Sequence, residues 1–456
     1  MSGHGPRPTW RELGTGVIGL VVVIAVAIFY RGLTKDGGSA AEAAPLFALG
    51  FLSIVGVVAG QAAAMVNLPR LTGYLLAGIV VGPQVAGFIT KGDVKALGLV
   101  NALALALIGL QAGAEVTLSI LGRIWKSLSI AAACQLIGTI GLSAGVFWAL
   151  SSHLPFLEGL TPTAVVAMAL LWGVFAFTRS PAVTLAVLAE TRAKGPLSEW
   201  AMGLVVVFDV LVLPIFTGAV TFARGEIEGL PFDPGVFLEL THELWESILA
   251  GIAGGLLLGF VLRIASGASR VLIVVVVGYL VTAACAYLRY DTLFVFVVMG
   301  FVAVNIVGTG NALLSAAERT SGAVFVVFFA LAGAKLDLEA LRVLWPVAIA
   351  LAVARAVGTF GAGQIAHRLA GDPPGVRRYG WLALVSQAGV TIGLASLVGD
   401  MLPGVGRGLA TLVIAVVGIH ELIGPVVFKL GLGRAGELPA DDDSHAPDPH
   451  APPAAH

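Results

Sequence analysis

Long apolar stretches separated by short polar loops run along almost the whole chain. The apolar core of a bilayer is about 30 Å thick, and a helix needs about 20 apolar residues to cross it. On this scale the sequence predicts fourteen membrane-spanning segments, the first at 13–30. The other thirteen lie at 46–66, 71–89, 97–118, 127–150, 162–190, 197–223, 245–265, 270–287, 291–310, 318–338, 343–369, 379–399 and 406–431. The pattern therefore predicts an all-α polytopic membrane protein with about 13–14 transmembrane helices.

Two of these segments show signs of a broken helix. Segment 162–190 is too long for a single crossing and has Arg179 and Pro181 in its middle. Proline removes a backbone donor and disfavours helix at the residue before it, here Ser180. In the second half of the chain we expect the matching break at Gly389, within the sequence ALVSQAGVTIGLA. Such breaks free backbone carbonyls inside the membrane, where they can serve as ligands for an ion.

Two short sequences recur in the second half of the chain, in the same order. AGAEVTLSIL at 112–121 matches AGAKLDLEAL at 332–341, and FDVLVLP at 208–214 matches IHELIGP at 419–425. The second match aligns Asp209 with His420, and the two helices of each pair run in opposite directions across the membrane. The sequence thus predicts an inverted-topology repeat, which is the architecture of many secondary transporters.

Lys and Arg residues are unevenly divided between the two sides of the predicted membrane. Fifteen lie on the side of the N-terminal tail and eight on the other, which predicts an inner-membrane protein with both termini in the cytoplasm. Arg7 and Arg11 precede the first apolar segment, which is either a cleaved signal peptide or an uncleaved signal anchor; its length favours the anchor. We therefore divide the chain into a tail with an extra helix at 1–45, a transmembrane domain at 46–431, and an acidic, Pro- and His-rich tail at 432–456 that is expected to be disordered.

Composition narrows the function. The chain is 58% hydrophobic and 12% charged, and its net charge of −1 provides no basic surface for nucleic acid. Cys134 and Cys285 lie inside apolar runs and form no metal-ligand spacing. Because the sequence has neither an HExxH-like motif nor a phosphate-binding loop, we expect no metal, no cofactor and no enzymatic activity.

Charged residues in the middle of the predicted helices are the main functional signal. A charge at the centre of a bilayer costs at least about 2.5–3.5 kcal/mol, so it is expected to face a protein or water-filled interior. Asp209 lies at the centre of 197–223, and Arg355 lies equally centrally in 343–369. Arg355 alone is equally well explained as part of an ion pair that locks the helices together. For Asp209 we favour a carboxylate that binds a proton and a monovalent cation in turn.

Other polar residues are expected to complete this site. Thr178 and Ser180 offer hydroxyl oxygens at the break of the first crossing helix, and Arg179 lies between them as a second candidate charge partner beside Arg355. Secondary candidates are three further polar residues inside predicted helices, namely His420, Glu421 and Gln387.

Several motifs together resemble a known family. They are NLPRLTGYLLAGIVVGP at 67–83, FTRSPAVTLAVLAE and GLVVVFDVLVLPIF in the first half, and FFALAGAKLDL, ALAVARAVGTF and VSQAGVTIGLAS in the second. In this order they resemble the cation:proton antiporter superfamily, in its Kef-type potassium-efflux and sodium/proton antiporter branch. The resemblance runs from about residue 46 to residue 431.

The resemblance implies a homodimer in which two broken helices cross inside a six-helix core. It gives Asp209 the role of the ion-binding aspartate, Thr178 the polar position in the first crossing helix, and Arg355 the role of a basic residue that pairs with acidic groups. The chain departs from the family pattern at Phe208, where Asp, Asn or Gln is common, and at Gln387, near which an acidic residue is often found. A Kef-like potassium efflux channel and a membrane pH sensor without transport stay open as alternatives.

Overall fold

The structure is a computed structural model that describes residues 44–229, 234–288, 290–336, 338–387, 389–402 and 404–439. The predicted extra helix at 13–30 and the tail from residue 440 onward lie outside the described residues. Within the described part the regular structure is helical throughout, with sixteen α-helices and two short 3₁₀ turns. The prediction of an all-α protein is therefore confirmed.

The sixteen helices follow one another with short connections. In the first half they are α1 (Ala44–Met65), α2 (Arg70–Val81), α3 (Lys91–Ala96), α4 (Gly98–Glu115), α5 (Leu118–Ala149), α6 (Pro162–Phe177), α7 (Pro181–Thr191) and α8 (Pro196–Glu228). In the second half they are α9 (Pro234–Ile264), α10 (Ser269–Leu288), α11 (Thr292–Asn305), α12 (Gly310–Lys335), α13 (Leu338–Ala370), α14 (Pro374–Ala383), α15 (Gly389–Met401) and α16 (Gly406–Ala435).

Among the described residues, ten helical stretches are long and apolar enough to cross a membrane, with α6 and α7 counted as one. Helices α2 and α11 and the apolar part of α15 are shorter and apolar. Together these thirteen stretches correspond to the thirteen predicted segments that follow 13–30, so the multi-pass membrane fold is confirmed.

Some helix ends differ from the prediction. The segment predicted at 71–89 leaves the helical conformation after Val81, because Gly82 and Pro83 follow. The segment predicted at 291–310 ends at Asn305, whereas α8 extends to Glu228 and is 33 residues long. Apolar composition alone does not indicate where a helix stops within a run of apolar residues.

The helices pack into two bundles. We call the first the crossing bundle; it contains α5, α6, α7, α8, α13, α14, α15 and α16, and most of its buried apolar residues belong to one large cluster. We call the second the scaffold bundle; it contains α1, α2, α4, α9, α10, α11 and α12, and it has two apolar clusters of its own.

The two halves of the scaffold bundle are built alike. Helix α4 crosses α11 at Gly113 and Gly300, where an added Cβ would overlap a backbone carbonyl of the other helix. Helix α2 crosses α12 in the same way at Gly78 and Gly333. In the crossing bundle, α8 and α16 each contain an internal proline, as the aligned sequences predict. These matched features support the predicted inverted repeat.

Candidate functional site

The breaks in the two interrupted helices meet inside the crossing bundle. Residues 178–180 separate α6 from α7, and residues 384–388 separate α14 from α15. The hydroxyl oxygens of Thr178 and Thr391, one from each broken helix, are 2.7 Å apart. The second break thus lies just before Gly389, which begins α15 rather than interrupting a helix.

Gln387 joins the two breaks through its side-chain amide. Its Nε2 donates to the carbonyl of Phe175 at 2.7 Å and to the hydroxyl of Thr178 at 3.0 Å. Because Nε2 faces these acceptors, Oε1 faces the Nδ1 atom of His420, at 2.8 Å. The Nδ1 atom of His420 therefore carries the hydrogen. Its Nε2 atom is buried and has no hydrogen-bond partner among the described residues.

Arg355 of α13 binds the carbonyl ends of both broken helices. Its guanidinium donates to Ala176 at 2.8 Å and Thr178 at 2.9 Å in the first break. In the second break it donates to Val385 at 2.6 Å and Leu384 at 3.2 Å. The side chain is 1% exposed. This single residue therefore ties the end of α6 to the end of α14.

Arg179 binds the first break from within. It donates to the carbonyls of Ala176 at 2.7 Å and Thr178 at 2.9 Å. Its other contacts are the side-chain oxygens of Gln135 at 3.3 Å and Thr359 at 3.1 Å. Two guanidinium groups thus share the same pair of carbonyls.

These contacts differ from the expected pairing of the arginines with acidic groups. Among the described residues neither Arg179 nor Arg355 bonds to Asp209. The physical reason is that two helix C-termini converge here, each with unpaired carbonyls and the negative end of its dipole, and a guanidinium supplies up to five donors. The carbonyls of Ala176 and Thr178 each accept two such bonds. The sequence analysis expected these carbonyls to be free ligands for an ion. In the structure they are occupied by the two arginines.

Asp209 lies in α8 among apolar neighbours and is 7% exposed. Its Oδ2 atom is buried without a hydrogen-bond partner in the described part of the chain. The charged group that acts on Asp209 is the carboxylate of Asp291, which accepts the backbone N–H of Phe294 and so caps α11 in the scaffold bundle. The ring of Phe208, directly before Asp209, lies 5.4 Å from the guanidinium of Arg179. An aromatic ring rather than a carboxylate therefore covers this cation.

The remaining predicted site residues, Ser180 and Glu421, differ in their contacts. The hydroxyl of Ser180 accepts the backbone N–H of Val183 at 3.2 Å and so caps α7. Glu421 is 3% exposed, and its Oε2 atom has no partner among the described residues. No group of three His, Cys, Asp or Glu residues in the described ranges is arranged to hold a metal ion.

Comparison with known proteins agrees with this architecture. Residues 50–430 match the family described as sodium/hydrogen exchanger, transmembrane. The chain belongs to the sodium/hydrogen exchanger family. The match covers both bundles, from α1 to α16.

Two solved structures of the sodium proton antiporter MjNhaP1 from Methanocaldococcus jannaschii are similar to this exchanger. One, determined at pH 8, gives a TM-score of 0.60, and the other, from electron microscopy, gives 0.68. Both are 16% identical to this chain, and each comparison covers 86% of this chain and 96% of the other. At this identity the likeness concerns the fold. No functionally curated protein matches the sequence.

A cavity of about 680 Å³ lies between the two bundles of this exchanger. Helices α4 and α12 form its scaffold side, and α7 and α8 form its other side. Five charged residues line it: Glu115, Glu199, Glu318, Arg192 and Lys194. Met202 of α8 also lines it, seven residues before Asp209 on the same face of the helix, which is a rise of about 10 Å.

The sequence analysis did not single out several polar residues that lie where the two broken helices of this exchanger meet. Gln135 and Thr359 hold Arg179, and Thr391 contacts Thr178. Gln135 lies inside a predicted apolar helix, where a polar side chain indicates a buried hydrogen-bond partner. Asp291 gave no such signal, because it lies at the end of a predicted segment, where charge is common.

Proposed function

We propose that this chain is a secondary active transporter that exchanges a monovalent cation, Na⁺ or K⁺, for protons by alternating access at Asp209. The observation that carries the proposal is the state of this carboxylate. It is buried in the middle of an apolar helix, and it has no hydrogen bond or ion pair among the described residues. A buried carboxylate without a partner is costly unless it binds a proton or a cation.

The cavity between the bundles supports access to Asp209 from one side. It reaches Met202, which lies two helical turns from Asp209 on the same face of α8. Of its five charged lining side chains three are glutamates and two are cations, so the lining has a formal net charge of −1, which favours a cation over an anion. An ion could thus approach Asp209 along α8 from the N-terminal end of that helix.

The chemistry of exchange follows from a single binding group. A carboxylate binds either a proton or a hard monovalent cation through the same oxygens. Suppose that the site changes sides only when Asp209 carries a proton or a cation, and not when the carboxylate is empty. Each cation moved in one direction then requires a proton moved in the other. Competition at one alternately exposed site is then sufficient for obligatory exchange.

Transport by purified protein in liposomes tests the proposal. We expect Asp209→Asn to abolish the cation-dependent dissipation of a pH gradient, because a neutral amide does not titrate in the working pH range and so carries no proton across. Asp400→Asn is the matched control, since Asp400 is an exposed aspartate of α15. The measurement is fluorescence dequenching with Na⁺, K⁺ and Li⁺ at several pH values. Wild-type activity in a folded Asp209→Asn protein would rule the mechanism out.

We further propose that the protein lies in the inner membrane as a homodimer with both termini in the cytoplasm. The bias of Lys and Arg toward one side of the helices supports this orientation. A C-terminal reporter that fluoresces only in the cytoplasm tests it, and a dark fusion protein would contradict it.

A further inference from the structure

Two linkers between the bundles are very short. Helix α4 of the scaffold bundle ends at Glu115, and α5 of the crossing bundle begins at Leu118. Likewise α12 ends at Lys335, and α13 begins at Leu338. Since α4 is the third and α12 the tenth of the thirteen described crossings, the two linkers lie at opposite faces of the membrane.

The amide side chain of Asn305 holds the first linker from both sides. Its Oδ1 atom accepts the backbone N–H of Leu118 at 2.8 Å, the first residue of α5. Its Nδ2 atom donates to the carbonyl of Val116 at 2.9 Å and to that of Phe301 at 2.9 Å. Donor and acceptor are both required, and an amide supplies both in one rigid plane.

Gln84 holds the second linker in a corresponding way. Its Oε1 atom accepts the backbone N–H of Leu338, the first residue of α13. Gln84 follows α2, and Asn305 ends α11, and these two helices are partners in the inverted repeat. Each linker is therefore held by an amide from the opposite half of the chain.

The helices that carry these amides are fixed within the scaffold bundle. Helix α11 crosses α4 through Gly113 and Gly300, and α2 crosses α12 through Gly78 and Gly333. At all four positions an added Cβ would overlap a carbonyl oxygen, so the backbones are in direct contact. The amide and the helix before each linker therefore belong to one closely packed helix pair, and the linker is where the chain leaves that pair.

We infer that Asn305 and Gln84 are positioning residues that fix two pivots, about which the crossing bundle moves during exchange. This inference rests on the proposed function. Each amide fixes where a helix of the crossing bundle begins while leaving the rest of that helix free to tilt. A line through the two linkers is the axis of the movement. Asn305 and Gln84 do not bind the ion; they set the path along which Asp209 moves.

The test compares two variants of Asn305, one of which still accepts the backbone N–H of Leu118 while the other does not. Asn305→Asp keeps the oxygen that accepts from Leu118 but cannot donate to Val116 or Phe301, whereas Asn305→Ala loses all three bonds. Ser269→Ala is the control, because the hydroxyl of Ser269, the first residue of α10, donates to the carbonyl of Ser266 and bonds to neither linker. Thermal unfolding of each purified variant shows whether it is folded.

Two measurements judge the inference in the folded variants. We expect the maximal transport rate of Asn305→Asp to fall by about fivefold with an unchanged KM for the cation, because the bond that holds Val116 of the linker is lost while the ion site is intact. A uniform loss of binding would instead raise KM. The Ser269→Ala control should show the wild-type rate.

The second measurement does not depend on transport. Spin labels are placed on Lys95 of α3, a short helix that contacts the scaffold bundle, and on Ser152 in the turn that follows α5 of the crossing bundle. Both residues are exposed, and Cys134 and Cys285 are replaced first. Electron–electron resonance should show a distance distribution that is broader in Asn305→Asp and Asn305→Ala than in wild type. A wild-type distribution in both variants would overturn the inference. If the wild-type protein moves no ion, the proposed function fails, and the distances still decide about the pivots.

Discussion

At the scale of single residues, Arg179 and Arg355 show how two cations are kept inside an apolar bundle without a bonded carboxylate. Their donors fill the carbonyl ends of two interrupted helices, where the helix dipoles provide the compensating negative charge. The same bonds hold the breaks in shape, so each arginine satisfies a requirement of the backbone rather than of the ion.

We expect Arg355→Lys to destabilise the protein although the charge is kept. An ammonium group has three donors around one nitrogen and cannot reach carbonyls on both breaks, as the planar guanidinium does. The loss should amount to about 2–4 kcal/mol, since buried carbonyls are left unpaired. Thermal unfolding in detergent measures it.

Arg368→Lys provides the control on the same helix, because Arg368 is exposed. Equal melting temperatures for Arg355→Lys and Arg368→Lys would show that the bonds to the breaks contribute nothing to stability.

The positions of these residues could be predicted from the sequence, but their partners could not. A charge in an apolar run marks Asp209, Arg179 and Arg355 without reference to any fold. Which acceptor each arginine meets depends on how two distant helix breaks approach one another. Thr178 and Thr391 are in contact although they are 213 residues apart, and no local pattern encodes that distance.

At the scale of elements, glycine crossings determine how the scaffold helices fit together. The carbonyl of Val297 in α11 lies where a side chain at Gly113 of α4 would begin. We therefore expect Gly113→Ala to force the two helices apart and destabilise the protein by about 1–3 kcal/mol. Thermal unfolding and the yield of folded protein are the measurements.

Gly141 of α5 is the matched control, because an added Cβ there meets no atom within 4 Å. Gly141→Ala should leave the melting temperature unchanged or raise it slightly, since alanine favours helix. A melting temperature of Gly113→Ala equal to that of Gly141→Ala would contradict the close crossing.

Helices were predictable here wherever apolar length or a proline indicated them. The interruption of 162–190 follows from Pro181, and the structure places the break at 178–180. The end of α2 at Val81 and the early end of α11 at Asn305 were not predicted. Gly82 and Pro83 end α2 locally, whereas α11 ends where Asn305 contacts the linker after α4, in the opposite half of the chain.

At the scale of the whole molecule, the two bundles also meet away from the linkers. Glu190, in the last turn of α7, accepts the backbone N–H of Arg70, the first residue of α2, with both carboxylate oxygens at 2.8 Å. This contact joins the crossing bundle to the scaffold bundle. A movement that separates α7 from the start of α2 would break it.

We expect Glu190→Gln to weaken this contact, because a neutral amide is a poorer acceptor than a carboxylate at a helix N-terminus. Amide hydrogen exchange at Arg70 should become roughly fivefold faster. Glu158→Gln changes an exposed glutamate of a loop in the crossing bundle and should leave that exchange rate unchanged. If the exchange at Arg70 does not respond to Glu190→Gln, the contact does not hold the bundles together.

The two buried guanidinium groups also have a consequence for the energetics of the cell. They are bonded to carbonyls of the crossing bundle, so in the proposed cycle they travel with that bundle in one direction and return with it in the other. Over a complete cycle the transmembrane voltage does no net work on these fixed charges. If Asp209 carries one proton one way and one monovalent cation the other, the net charge translocated is zero. Concentration gradients alone would then set the direction of exchange, whatever the polarisation of the membrane.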